Sequence, residues 1–173
     1  MRRHSTALAV VVGLLVGGCG FAVSGQAAPP AVADASGVDM CIILTDAELS
    51  GLGVDLGSRR QFDELGLVGC QWVGKPITLR LERDEDPVAV YRARRDDLVF
   101  TRFVDNTVNG RAGVQLSVDR DRSDCAQLMD GGPVSVTVAV APAFSVDPLK
   151  IDSCAEALRI AQLIEPRLPK AGT

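Results

Sequence analysis

Cysteine is the residue type in this chain with the most evident chemistry. Cys41, Cys70, Cys125 and Cys154 form two brackets of equal span. None belongs to a Cys-x-x-Cys pair, so neither a zinc site nor a dithiol redox motif is indicated. In an oxidising compartment four such thiols form disulfides. Three connectivities are possible. The expected one is Cys41–Cys70 with Cys125–Cys154, because each bond then ties a helix to a strand nearby in sequence. A closed loop of this size stabilises by about 3.5 kcal/mol in the chain-entropy treatment, less any strain.

The carboxylates come next. Asp119, Asp121 and Asp124 alternate as calcium ligands do, but Arg120 and Arg122 intervene, and the glycine and glutamate of a calcium loop are missing. A solvated, charge-balanced connection is expected there, with no metal bound. Glu82, Asp84, Glu85 and Asp86 form an acidic stretch. Paired carboxylates do acid–base work when their environments push their pKa values apart. Four in a turn are instead expected to mark a helix N-terminus in water. Arg92, Arg94 and Arg95 with Asp96 and Asp97 read as mixed charges on an exposed helix face. Trp72 follows Cys70 by two positions, which puts both on one face of a strand. It is expected to pack on the disulfide rather than to stack on a ligand.

Several reaction classes lack their residues. The single histidine is His4, in the N-terminal segment. Without it, a Ser-His-Asp or Cys-His hydrolase and a His-ligated zinc cannot be assembled. One Trp, one Tyr and five Phe are thin provision for stacking bases or sugars. No glycine-rich phosphate loop is present. The formal net charge of −4 argues against nucleic acid and against adsorption to anionic lipid, and loss of Arg2 and Arg3 would make it more negative. The expectation is a protein that is not an enzyme and holds no cofactor.

The N-terminus reads as an address. Met1-Arg2-Arg3-His4 is positive, and Thr6 to Gly18 is uncharged and apolar. That length suits a secretory signal and falls short of the roughly 20 residues of a membrane span. The run ends Val16-Gly17-Gly18-Cys19, which is similar to the bacterial lipobox. In lipoproteins of that kind the cysteine is acylated, with palmitate-like chains, and becomes the first residue after cleavage. Each buried lipid methylene adds about 0.8 kcal/mol to membrane binding. Residues 1–18 are therefore expected to be a signal peptide, and Cys19 the lipidation site. Residues 19–38 would be a tether with a reach of roughly 25 Å, and 39–173 one folded domain. The expected location is the extracytoplasmic face of the cell membrane. Cleavage near Ala27 or Ala28 would instead release a soluble protein, and an uncleaved run to Val23 would leave a different anchor.

The elements that must position these residues can be read from pattern. With 47% apolar residues the chain can fill a core without metal. Thr45-Asp46-Ala47-Glu48 is a capping box, predicting a short helix to Gly51 or Gly53. "VGCQWV" and "ITLRLER" flank Gly74-Lys75-Pro76 as a hairpin, with Ile77, Leu79 and Leu81 inward and Thr78, Arg80 and Glu82 outward. Pro87 opens a helix through "VAVYRARRDD". "LVFTRFVD" and "AGVQLSVD" flank Asn109-Gly110, a strong hairpin signal. "DCAQLM" and "VSVTVAV" make a third hairpin. Ser153 and Glu156 suggest a capping box for a last helix that ends at Pro166. The predicted class is α+β: about six mostly antiparallel strands in one sheet, one face covered by N-terminal, middle and C-terminal helices.

The order of lipobox Cys19, "CIILTDAELSGLG", "GCQWVG", "NGRAGVQL", "DCAQLMD" and "DSCAEALRIAQLIEPRLP" resembles a family of small actinobacterial lipoproteins with a domain of unknown function, the LprB-like proteins of mycobacteria and relatives. The likeness covers about residues 39–169. Where the family is expected to have Asp-Pro before the first domain cysteine, this chain has Asp39-Met40. The resemblance implies a secreted, lipid-anchored, disulfide-bonded α+β domain and implies no reaction. The expected function is a non-catalytic cell-envelope protein that binds an envelope partner or serves as an accessory. The alternative is a carrier of a lipid or small amphiphile between membrane and wall, which needs an internal pocket. A wall hydrolase working with carboxylates alone is a third reading.

Overall fold

A computed structural model describes residues 33–118, 123–147 and 150–170. Residues 1–18, expected to be a signal peptide, and Cys19 lie outside the described residues, as do Asp119, Arg120, Asp121 and Arg122.

Capping sets the first helix, α1 (Asp46–Gly51). Glu48 N–H donates to Thr45 Oγ1 at 3.3 Å, and Thr45 N–H donates back to the Glu48 carboxylate at 2.8 Å. These two bonds satisfy donors that a helix start would otherwise leave open. The strands are β1 (Arg60–Glu64), β2 (Leu67–Val73), β3 (Ile77–Asp84), β4 (Arg102–Val108), β5 (Arg111–Ser117), β6 (Cys125–Asp130) and β7 (Ser135–Pro142). They form one antiparallel sheet in the order β1-β2-β3-β7-β6-β5-β4. Two meanders thus meet at a β3:β7 seam.

The sheet has seven strands, not about six. The additional one is β1, whose only apolar residue is Phe62 and whose alternation is therefore faint. Its hairpin to β2 turns at Leu65 and Gly66, with φ of 55° and 82°. Two consecutive positive φ values suit the twist of a tight hairpin, but leucine is a poor sequence signal for one. The Asn109-Gly110 turn, φ 49° and 90°, uses the expected chemistry.

Period-two alternation separates two faces. On the first, Cys70, Trp72, Leu79, Leu81, Val136, Val138 and Val140 are buried. Leu49 of α1 packs there with Ala157, Ile160, Ala161 and Ile164 of the last helix, α3 (Ser153–Ile164). The second face is partly covered too, over β5 and β6, contrary to the one-sided expectation. Val88 of α2 (Val88–Ala93) joins Val114, Leu116 and Leu128 in a smaller core, with Tyr91, Phe100 and Phe103 against it. Helix α2 stops at Ala93, short of the expected "RRDD". Pro87 is its N-cap rather than its first residue.

One other expectation is revised. Asp152, not Ser153, caps α3, accepting from Ala155 N–H at 3.0 Å. Ser153 is inside the helix and donates to the Ser123 carbonyl, and Glu156 pairs with Arg159. At the other end, Ala33 and Ala35 are buried, and Ala35 N–H donates to Gly131 O at 2.9 Å.

Cys41 is bonded to Cys70, and Cys125 to Cys154. The second bond joins β6 to α3. The first joins β2 to the turn segment ahead of α1, not to the helix itself.

Candidate functional site

The densest polar chemistry lies on the second face, at the β3:β7 seam and the strands beside it. Residues directly opposite in an antiparallel ladder share a face. Arg80, Glu82 and Asp84 of β3 stand opposite Ala139, Thr137 and Ser135 of β7. On the other side they stand opposite Gln71, Gly69 and Leu67 of β2. Gly69 is required by close approach, since a Cβ there would come within 2.1 Å of the Leu81 carbonyl oxygen.

Glu82 and Asp84 are not turn residues in water, as their composition suggested. Both belong to β3 and are buried, at 8% and 6% exposure. Only Glu85 and Asp86 follow the strand. Arg80 pairs with Glu82 at 2.7 Å. Burial nevertheless pushes the Glu82 carboxyl above its ordinary value; Arg80 pulls against that shift and the Asp84 charge adds to it. Asp84 accepts from the Tyr91 hydroxyl and, at 2.9 Å, from Asp86 N–H. Burial, then the hydrogen bond to Asp84, raises the Tyr91 phenol above its usual value. Thr137 and Ser135 are buried beside them. Arg80 Nε and Ser135 Oγ are buried without a hydrogen-bond partner among the described residues.

This polar floor continues into open ground. Beside it lies a shallow cleft of about 240 Å³, lined by Arg60, Phe62, Glu64, Leu67, Gln71 and Arg80. The Arg80 guanidinium lies over Phe62, 4.5 Å from the ring centroid. Gln71, Thr78 and Arg80 are partly exposed, and Leu65 at the hairpin tip is fully exposed. Glu82 is held by Arg80, and Asp84 by Tyr91 and Asp86; neither carboxylate lines the cleft. The surface therefore presents two guanidiniums, one carboxylate, one amide and an apolar edge over a buried, internally engaged pair of acids.

The other candidates are spread elsewhere. Asp124 accepts from Ser117 Oγ at 2.8 Å, at the edge of a cleft of about 390 Å³ that Arg102, Gln115 and Cys154 also line. Among the described residues no three His, Cys, Asp or Glu side chains cluster so as to hold a metal ion. Arg92 and Arg95 both engage Asp105 of β4, and Arg94 pairs with Asp97 at 2.9 Å. Asp105 was not singled out from sequence. The two arginines hold its carboxyl below the usual range. Trp72 is buried in the main core with Cys70. The strand position of Glu82 had a legible signal, because it continues the outward series of Thr78 and Arg80 in "ITLRLER".

Residues 14–167 match a family described as protein of unknown function (DUF3558), and the chain belongs to that family. No curated protein and no solved structure matches the chain.

Proposed function

We propose that this DUF3558 chain is a non-catalytic, lipid-anchored protein of the cell envelope whose domain binds a partner protein through the open half of its second sheet face. The observation that carries the reading is the contrast between the two faces. The first is filled, with Trp72, Leu79, Leu81, Val138 and Ile160 at 1% exposure or less. The second, over β1 to β3, offers Arg80, Gln71, Leu67 and Leu65 to solvent above buried polar groups. Partly apolar surface with an arginine at its centre is the composition of protein interfaces. A leader ending in Gly17-Gly18-Cys19 and the resemblance to actinobacterial lipoproteins support secretion and acylation at Cys19. The carrier reading needs space between sheet and helices, where these side chains are packed.

The test is crosslinking in the envelope of a native-like host. A photo-crosslinking residue is placed at Gln71 or Thr78, and at Asp46 on α1 as a control. The expected result is a discrete adduct from the two sheet positions and none from α1. Equal labelling at all three, or a lipid mass retained on the purified protein, would overturn the reading. Mass spectrometry of the N-terminal fragment tests the anchor. An acylated Cys19 supports it, and an N-terminus at residue 28 or 29 opposes it.

A further inference from the structure

β1 is the outer strand of the sheet on the side of β2. Five residues make it: Arg60, Gln61, Phe62, Asp63 and Glu64. Phe62, at the centre, is buried beneath Arg80, and the four flanking side chains are exposed. Across the ladder Arg60 faces Gln71 and Glu64 faces Leu67. Neither charge has an ionic neighbour there, and neither forms an ion pair among the described residues. The free edge of such a strand carries backbone N–H and C=O groups that can template another strand.

From Phe62 outward the strand is complementary to its own reverse. Arg60 mirrors Glu64, and Gln61 mirrors Asp63. We infer that β1 pairs antiparallel with β1 of a second copy of this chain, about a two-fold axis through Phe62. In that register each Arg60 stands opposite a Glu64, each Gln61 amide opposite an Asp63 carboxylate, and the two Phe62 residues opposite one another. An isologous contact makes every such pair twice, and opposite charges directly across a ladder favour the pairing. The two sheets become one continuous sheet. Arg60, Phe62 and Glu64 also line the cleft on the second face, so the clefts of the two copies meet along the new seam.

The other outer strand does not have this property. Pairing β4 with itself about its central residue would oppose two Asp105 carboxylates, and Asp105 is already engaged by Arg92 and Arg95. A one-residue slip at β1 would set the second face of one copy beside the first face of the other. Short, charged edge strands resist indiscriminate pairing. Here the same charges select one partner and one register. The inference does not rest on the crosslinking partner proposed above or on the anchor.

The experiment is a charge-swap cycle on the full chain, solubilised in one detergent, by sedimentation velocity over a concentration range. Four proteins are compared: wild type, R60E, E64R and R60E/E64R. Any association through the N-terminal segment is common to all four. The wild type is expected to associate reversibly. Each single reversal opposes like charges twice and should weaken the dimer about tenfold. The double reversal should return it to within about threefold of wild type, since the pairs are restored in the opposite sense. Hydrogen exchange at the β1 amides should slow with concentration in wild type and double variant alone. Because Arg60 and Glu64 are exposed and unpaired within one copy, thermal unfolding of the monomers, at concentrations below association, should match in all four. A monomer at every concentration, an association that both single reversals leave unchanged, or a double variant as weak as the singles would each overturn the inference.

Discussion

Arg167, just after the last helix, forms a forked ion pair with Glu48 of the first helix, 119 positions away. The same guanidinium donates to the Ile43 carbonyl, ahead of α1. Glu48 also closes the capping box on Thr45. One carboxylate therefore completes a helix start and fastens the C-terminal segment to it. Arg111 does similar work from the sheet. It pairs with Glu165 at 3.1 Å and donates to the carbonyls of Asp130 and Pro169 at 2.8 Å.

The Glu48 arrangement predicts an acid-sensitive increment of stability. The Arg167 hydrogen bond, then those from Thr45, lowers the carboxyl to about 2 from 4.5. A depressed carboxylate contributes fully above its unfolded value and loses that contribution as pH falls through the folded one. Wild type should therefore melt above Glu48→Gln at pH 6, and the gap should close between about 4.5 and 2. Thermal melts of both proteins across that range check it. A gap independent of pH would contradict the assignment.

Glu82 should behave in the opposite sense. Its folded value is raised, so its protonated form favours the native state, and stability declines as pH rises from its unfolded value through the folded one. Glu82→Gln should thus be more stable than wild type at pH 8. That gain should shrink as pH falls toward 4.5. Urea titrations at three pH values decide it, and a variant less stable at pH 8 would show that the Arg80 pair outweighs burial.

Arg111 and Glu165 keep only 11% and 12% of their side chains exposed. Removing one member of such a pair leaves a buried charge without compensation. Arg111→Ala should cost about 3–5 kcal/mol in chemical denaturation. Arg111→Met with Glu165→Leu should recover most of that loss, because neither charge is then left behind.

Each disulfide should contribute about 2–5 kcal/mol. The consequences should differ in place. Cys41→Ser with Cys70→Ser should speed hydrogen exchange at residues 33–45, and Cys125→Ser with Cys154→Ser should do so in α3 and β6. Exchange that rises uniformly in both variants would refute this local division.

How much of this was legible before folding depended on alternation and turn chemistry. Val134, Val136, Val138 and Val140, and Ile77, Leu79 and Leu81, announce buried strand faces because both runs alternate cleanly. Asn109-Gly110 announces its hairpin. β1 was silent because one phenylalanine among four polar residues carries no period, and because Leu65 occupies a backbone region leucine seldom adopts. The polar floor was half legible. Alternation carried Glu82 into the strand but stopped short of Asp84, and the burial of both depends on Arg80, Tyr91 and β7, which only the tertiary arrangement brings together. The partnership of Asp105 with Arg92 and Arg95 is likewise a product of α2 folding back over β5 and β6.

The strand order β1-β2-β3-β7-β6-β5-β4 has a covalent consequence. Cys41–Cys70 closes a ring wholly ahead of β3, and Cys125–Cys154 closes one that holds β7. Neither bridge crosses from β3 to β7. Among the described residues the oxidised molecule is thus two cross-linked lobes joined by one strand of backbone at Glu85-Asp86-Pro87. What keeps them together is the ladder at the seam, shared packing under α3, and fastenings such as Arg167 to Glu48 and Ala35 to Gly131. Oxidation toughens each lobe and leaves the join between them reversible.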